Sequence, residues 1–371
     1  MSTTAVELGT VLDFFNGKAP PNDEDGDFVV YGSNGTIGKA KTTNHENAII
    51  LGRVGAYCGS VEFCDEKFWA SDNTIVVKTR DGFDLKYMYY RLKSFPLRSY
   101  AGGAAQPLLT QTILRGVRLP VVKDKNRQLK IAAILSAYDD LIENNRRRIQ
   151  LLEQAARLLY KEWFVHLRFP GYEHAKVVDG VPEGWEKKLL GDVCFEVRET
   201  VSPNDLEPNT PYIGLEHMPR RSITLCEWGQ AEQVTSGKHR FREGEILFGK
   251  IRPYFHKVGI ALTDGMASSD AIIIRPTSPH LLAFVLLTTS SDWFVTVTAQ
   301  QMKEGSKMPR ADWKQMQKYL VPLPPEGLLR ALSDIIDPIL SQLKTLAFAN
   351  KRISIARDLL LPKLMNGEVA V

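Results

Sequence analysis

The stretch LKIAAILSAYDDLIENNRRRIQLLEQAARLLYKEWF, Leu129–Phe164, decides how this chain is built. It contains no glycine or proline and is rich in Leu, Ala, Arg, Gln and Glu, all good helix formers. Its apolar residues step by alternating fours and threes through Ile131, Leu135, Tyr138, Ile142, Asn145, Ile149, Leu152, Ala156, Leu159 and Trp163. Such a 3.5-residue repeat marks a coiled-coil seam rather than an ordinary amphipathic face. The end of this helix, ARLLYKEWF at Ala156–Phe164, is echoed by ARDLLLPKL at Ala356–Leu364. Around the echo the same rhythm returns through Leu332, Ile336, Ile339, Leu343, Leu346, Asn350, Ile353, Arg357, Leu360 and Leu364. Pro338 falls inside this second pattern, so a late start or a kink is expected there. Asn145 and Asn350 each put an amide on a seam. It either pairs in the interface and fixes register, or marks a solvated kink.

The sequence ahead of each helix repeats as well. ELGTVLDF (Glu7–Phe14) is echoed by LLGDVCFE (Leu189–Glu196), and AIILGR, ending at Arg53, by EILFGK, ending at Lys250. WASDNTIVVK matches MASSDAIIIRP, two β-rich runs with a Ser-Asp at the strand entrance. VRLPVV and LVPLPP close the two globules just before the helices. A tandem duplication accounts for all four echoes in order. RFPGYEHAKVVDGVPEGW between the halves is rich in Gly and Pro and reads as a linker. The acidic NDEDGD near residue 25 reads as a solvated loop. The expected fold is α/β (mixed α+β): two pseudo-symmetric globular domains separated by two long antiparallel helices forming a coiled coil. The boundaries are a first globule over 1–124, a first helical spacer over 125–168, a linker over 169–184, a second globule over 185–325 and a second spacer over 326–371. At ~1.5 Å per residue, roughly 35 helical residues span about 50 Å.

Composition sets outer limits. The 371 residues are 44% hydrophobic and 24% charged, the balance of a globular protein of two or three domains. No run of 18 apolar residues occurs, so no membrane span is expected. The opening MSTTAVELGTVLDFF has neither a basic nor an apolar leader region. Cys58, Cys64, Cys194 and Cys226 form no C-x-x-C or zinc-like spacing, which suits reduced thiols and a cytoplasmic location. A net charge of +4 permits nucleic-acid binding without arguing for it.

Several strings imitate catalytic motifs and fail. GEILFGKI (Gly244–Ile251) has phosphate-loop spacing, but its interior is strand-forming and Ile251 replaces the Mg²⁺-binding hydroxyl. GSNGTIG (Gly32–Gly38) is not the dinucleotide fingerprint, no helix pattern follows it, and it reads as a turn-rich loop. NTPY (Asn209–Tyr212) resembles an amino-methyltransferase motif with one proline missing and no glycine-rich cofactor loop beside it. Seven scattered histidines show no H-E-x-x-H. No catalytic set, metal or cofactor is expected on this chain. Polar and basic residues instead gather around the repeated strands. The first globule offers Ser33, Asn34, Lys39, Lys41, Arg53, Tyr57, Ser71 and Asn73. The second offers Lys238, Arg240, Lys250, Arg252, Tyr254, His256, Lys303, Lys307 and Arg310. Arg and Lys can dock on guanine edges, Asn on adenine, and further cations on phosphate. A solvated basic face with ordinary turn glycines is the competing reading.

The ordered, duplicated strings resemble the specificity (S) subunit of type I restriction-modification systems across essentially the whole chain. The resemblance is carried by Pro182-Glu-Gly-Trp185 followed by Leu190-Gly191-Asp192, by LVPLPP leading into a helix, and by the helix endings LEQAARLLYKEWF and LLPKLMNGEV. The first globule departs from it by starting at VELG, without the Pro-x-Gly-Trp lead-in. The resemblance implies that each globule is a target-recognition domain reading one part of a bipartite site in double-stranded DNA. It implies that the helices dock two methyltransferase (M) subunits, with restriction (R) subunits joining them. S-adenosylmethionine, ATP and Mg²⁺ would then bind those partners. On this reading helix length sets the spacer, since half-sites a turn apart lie ~34–36 Å from each other. The rival from another class is a coiled-coil scaffold joining protein partners without DNA readout, distinguished by a flat salt response in DNA binding. Leu158, Phe164, Leu359 and Leu361, opposite the seams, are expected to need a partner to cover them.

Overall fold

The computed structural model describes residues 3–21, 26–103, 106–178, 180–300 and 309–369. Asn22–Asp25 of the acidic run lie outside the described residues. The chain divides into two compact units, one of Met1–Ile142 with Arg352–Val371 and one of Glu143–Lys351.

The first unit is built on a six-stranded sheet. Its order is Leu12–Asn16, Thr74–Thr79, His45–Gly52, Val61–Ala70, Phe28–Gly32 and Gly35–Ala40. All neighbours run antiparallel except Phe28–Gly32 beside Val61–Ala70, which are parallel. GSNGTIG forms the hairpin turn between the last two strands, with Gly35 at φ 91°. Val, Ile and Leu on one sheet face pack with the helix Leu85–Lys93 around Ile49, Leu51, Ile75, Val77, Tyr87 and Tyr90. A separate ribbon pairs Thr4–Glu7 with Arg118–Val121, so VRLPVV meets the start of the unit immediately before the long helix.

The second unit repeats the plan with one change. Its ribbon pairs Glu186–Leu189 with Leu320–Leu323. Where the first unit has the single long strand Val61–Ala70, the second has Val258–Ala261 and Gly265–Ala267, and the sheet is divided in two. One sheet has the order Cys194–Val197, Ala271–Pro276, Ile246–Gly249, Val258–Ala261, Thr224–Leu225. The other has the order Thr200–Val201, Lys238–Phe241, Gly265–Ala267, Pro211–Ile213, Gly229–Gln230. The string that imitates a phosphate loop is the strand Ile246–Gly249, fully buried. The linker is more ordered than its Gly and Pro content suggests. Val177–Val178 pairs with Val181–Pro182, and Trp185 packs between Phe169 and Phe164.

The first long helix covers Lys125–Tyr160, continued by a wide turn over Lys161–Val165, and the second covers Glu326–Asn366. Pro338 does not delay the second helix. It sits at an exposed position where the carbonyl it leaves unbonded can be hydrated, while buried Leu332, Ile336 and Leu343 hold the helix to the core. Both helices contribute to both units, and in each they run antiparallel. In the first unit Arg357 pairs with Asp139, which also accepts the Tyr90 hydroxyl at 2.6 Å, and Ile131 and Leu135 share a core with Leu361, Leu364 and Met365. In the second, Asn145 Nδ2 donates to Asn350 Oδ1 at 2.9 Å. That bond decides between the two roles left open for these amides. Leu135, Ile142, Ile336, Leu343 and Leu346 are buried, and Tyr138, Ile149, Leu152, Leu159, Ile339, Ile353 and Leu360 half-buried.

Polar clips tie the helices to the globules. In the first unit fully buried Gln128 accepts from Asp84 N and donates to Val122 O, both at 2.7 Å. In the second, Glu153 is buried, and one carboxylate oxygen accepts from Ser222 Oγ (2.7 Å), Ile223 N (3.0 Å), Thr224 N (3.0 Å) and Thr224 Oγ1 (2.6 Å). Two of the four apolar residues expected to lie bare are covered: Phe164 packs on Trp185 and Phe284, and Leu361 joins the first unit's core. The seam rhythm records only the helix–helix contact, not contacts with the globules. Leu158 and Leu359 remain exposed, at 62% and 63%. No single helix among the described residues is long and apolar enough to cross a membrane, and none of their His, Cys, Asp or Glu side chains cluster as metal ligands.

Candidate nucleic-acid interface

Each unit carries one loop junction, and the two are wired by the same hydrogen bonds. In the first, Arg53 follows the strand His45–Gly52. Its N donates to Asn73 O at 3.0 Å, and its own carbonyl accepts from Leu109 N at 2.9 Å. Gly55 N donates to Pro107 O (3.1 Å), and Ser71 N to Tyr31 O (3.0 Å). In the second, Lys250 takes the place of Arg53. Its N donates to Asp270 O at 2.7 Å and its carbonyl accepts from Ala311 N at 2.8 Å. Arg252 N donates to Pro309 O (2.9 Å), and Ser268 N to Ile213 O (2.9 Å). Asn73 N and Asp270 N each turn back onto a serine hydroxyl, Ser71 Oγ at 3.3 Å and Ser268 Oγ at 3.2 Å. The glycine before each cation stands in a crowded place, most severely at Gly52. A Cβ on Gly52 would stand 2.3 Å from Ser60 Oγ, and one on Gly249 would stand 3.1 Å from the Leu215 side chain. Main chain is thus preserved while side chains differ, which is how one scaffold carries two chemistries.

The first junction gathers six of the eight residues proposed for this unit, in three roles. Ser33 is structural: its hydroxyl donates to Asn73 O at 2.6 Å and accepts from Arg53 N, so it offers no group to a ligand. Ser71 is likewise buried in its turn, a correction that follows from its place at the strand entrance. Asn34 and Asn73 are exposed on adjoining turns, and Tyr57 is 59% exposed on the short turn Gly55–Tyr57. Arg53 is half-buried, and its Nε is buried with no hydrogen-bond partner among the described residues. Lys39 and Lys41 are exposed at the far end of the hairpin, away from the junction.

At the second junction the charges are matched. Lys250 Nζ donates to Ser269 O at 2.9 Å and lies 4.0 Å from Glu196 Oε1, and burial pulls its pKa below the ordinary lysine value against the pull of Glu196. Arg310 stands 3.6 Å from Asp270, joined to Lys250's neighbour by the Ile251–Arg310 bridge. Arg240 stands 3.6 Å from Glu199. Arg252 is exposed in the left-handed region at φ 49°, and Tyr254 is 53% exposed. Lys238 and His256 turn inward, contrary to expectation. Lys238 Nζ is held by Ser236, and His256 Nε2 lies 2.8 Å from Ser290 O with Nδ1 3.4 Å from Asp292. A left-handed backbone at His256, φ 54°, rotates its ring into the core beneath Arg252 and Tyr254. Lys303 and Lys307 lie outside the described residues. The sequence reading passed over His239 and Arg198. His239 Nδ1 is buried without a partner among the described residues, and its pKa is lowered by burial and then by Lys250, while Arg198 pairs with Glu196 at 2.7 Å. Strand alternation between Lys238 and Arg240 was the available signal for His239.

Fold and junctions together define a protein with two copies of one loop-bearing recognition unit, each joined to a pair of long helices. Residues 3–154 match the model of the type I restriction modification DNA specificity domain. The type I restriction enzyme EcoDI specificity subunit of Escherichia coli is 24% identical over 361 residues, covering 86% of this chain and 77% of that one. The MjaIX specificity subunit of Methanocaldococcus jannaschii is 24% identical over 315 residues, covering 79% and 71%. The crystal structure of a type I restriction-modification S subunit from M. genitalium aligns over 98% of this chain and 96% of its own, at a TM-score of 0.65 and 18% identity, a likeness of fold. Residues 3–154 carry the match to that specificity-domain family, and over 79% and 86% of its length the chain is similar to these two type I specificity subunits.

Proposed function

We propose that each unit reads one half of a bipartite sequence in double-stranded DNA through the loops around Arg53 and Lys250, and that the chain itself carries out no chemistry. The observation that carries this reading is the repeated junction, in which identical main-chain bonds hold different side chains. Two methyltransferase subunits dock on the helices, and restriction subunits join them. Exposed Leu151 and Leu158 on one helix and Ile355 and Leu359 on the other support a docked partner, since large apolar side chains in a row are costly to leave in water. S-adenosylmethionine, ATP and Mg²⁺ belong to those partners, and the assembly works in the cytoplasm. Exposed cations such as Lys39, Arg240 and Arg252 neutralise phosphate, so affinity for mixed DNA falls steeply with salt.

The test is a segment exchange. Residues preceding Val122 are replaced by those of another specificity subunit, the hybrid is expressed with its methyltransferase partner, and methylated sites are mapped across a genome. One half of the recognised sequence changes and the other stays. A change in both halves would count against the modular reading. DNA affinity of the assembled complex that does not respond to salt would favour a scaffold without DNA readout.

A further inference from the structure

We propose that Arg53 reads a guanine in the half-site recognised by the first unit. The inference rests on the DNA-reading function proposed above and adds to it a residue and a base.

Three observations point there. The first is position. Arg53 is pinned on both sides by main-chain bonds to Asn73 and Leu109, so its side chain leaves a junction fixed by two other loops, with exposed Asn34, Asn73 and Tyr57 on the adjoining turns. The second is an unmet need. Among the described residues its guanidinium meets no acceptor and makes no ion pair: Nε is buried, while the two terminal nitrogens are left open to an acceptor from outside. A charged donor left unsatisfied in a half-buried place is destabilising, and native structures keep very few of them. The third is contrast. At the equivalent corner of the second unit Lys250 donates to Ser269 O and faces Glu196, so the fold itself can satisfy a cation there. Among its described residues the first unit offers no such acceptor to Arg53, which leaves one to reach its terminal nitrogens from outside.

The choice of guanine over phosphate follows from geometry. A phosphate asks only for a charge, which a flexible, exposed lysine such as Lys39 supplies. A planar fork held at a fixed origin suits the paired acceptors O6 and N7 of guanine.

The experiment uses the chain co-expressed with its methyltransferase partner. Methylated sites are mapped for the wild type, Arg53→Lys and Arg53→Ala. The wild type yields a two-part motif with a guanine in the half read by the first unit. Both variants admit other bases at that guanine, with discrimination falling about tenfold or more, and leave the other half intact. A motif without guanine in that half overturns the inference, as does an unchanged motif in the variants, whether activity is retained or falls evenly at all sites. If the variants fail to assemble, the wild-type complex decides. Replacing the guanine by 7-deazaguanine, which lacks N7, weakens binding several-fold if Arg53 reads it, and equal binding overturns the claim. Absence of any sequence-specific methylation by the wild-type complex would instead sink the underlying DNA-reading function.

Discussion

His256 illustrates how a single ring can be misjudged and then become useful. In the string GKIRPYFHK it looks like one more exposed base-contacting group, yet the left-handed turn at His256 buries it against Ser290 O. Burial lowers its pKa most. Ser290 and Asp292 oppose the shift, while Arg221, bound to Asp292 at 2.6 Å, and Arg157 reinforce it. The folded ring therefore stays neutral in a range where the unfolded chain, titrating near pH 6.5, takes up a proton. Its contribution to stability is present above about pH 6.5 and is lost as pH falls toward the depressed folded value. Thermal unfolding followed from pH 8 to pH 5 should show the midpoint falling below about pH 6.5, with a shallower fall in His256→Gln. Equal slopes in the two proteins would remove this residue from the account. Glu153 was illegible for the opposite reason. On a helix between Gln150 and Arg157 it reads as a solvated charge, and only the arriving segment Ser222–Thr224 turns it into a buried acceptor.

Among elements, the long helices were the most legible, because a seam pattern needs nothing beyond its own chain. The short strands were legible through their echo, AIILGR against EILFGK, rather than through propensity. The splitting of one strand into Val258–Ala261 and Gly265–Ala267 left no comparable trace. Coverage of Phe164 and Leu361 was missed because it depends on Trp185, Phe284 and the first unit's core, all distant in sequence. The Asn145–Asn350 bond sets the register of the seam, and it places Leu152 opposite Leu343 and Leu159 opposite Ile336. Asn145→Leu alone removes the donor to Asn350 Oδ1 and should cost about 1–3 kcal/mol in chemical denaturation. Replacing both by Leu should recover that loss and raise the midpoint, while relaxing the choice of register or partner number, read by light scattering and by cross-linking. A double variant that stays as weak as the single one would show that the pair is not the coupling expected.

At the scale of the whole molecule, each long helix passes through residues of both units, so helix length is a quantity the two units share. Inserting one four-residue turn within Ala132–Leu159 should alter the number of bases between the half-sites and leave both half-sites recognisable in methylation mapping. An unaltered spacing would separate helix length from site geometry. The first unit has a further property with consequences for biosynthesis. Its core takes Leu361, Leu364 and Met365 from the segment 352–371, whereas the second unit is a continuous run of chain. During translation the later unit can therefore close while the earlier one still waits, its apolar face open, for a segment the ribosome has yet to deliver. Any pause or premature stop in that interval exposes the nascent first unit to chaperones and proteases, so a lesion in the stretch encoding residues 352–371 unmakes the lobe translated before the other.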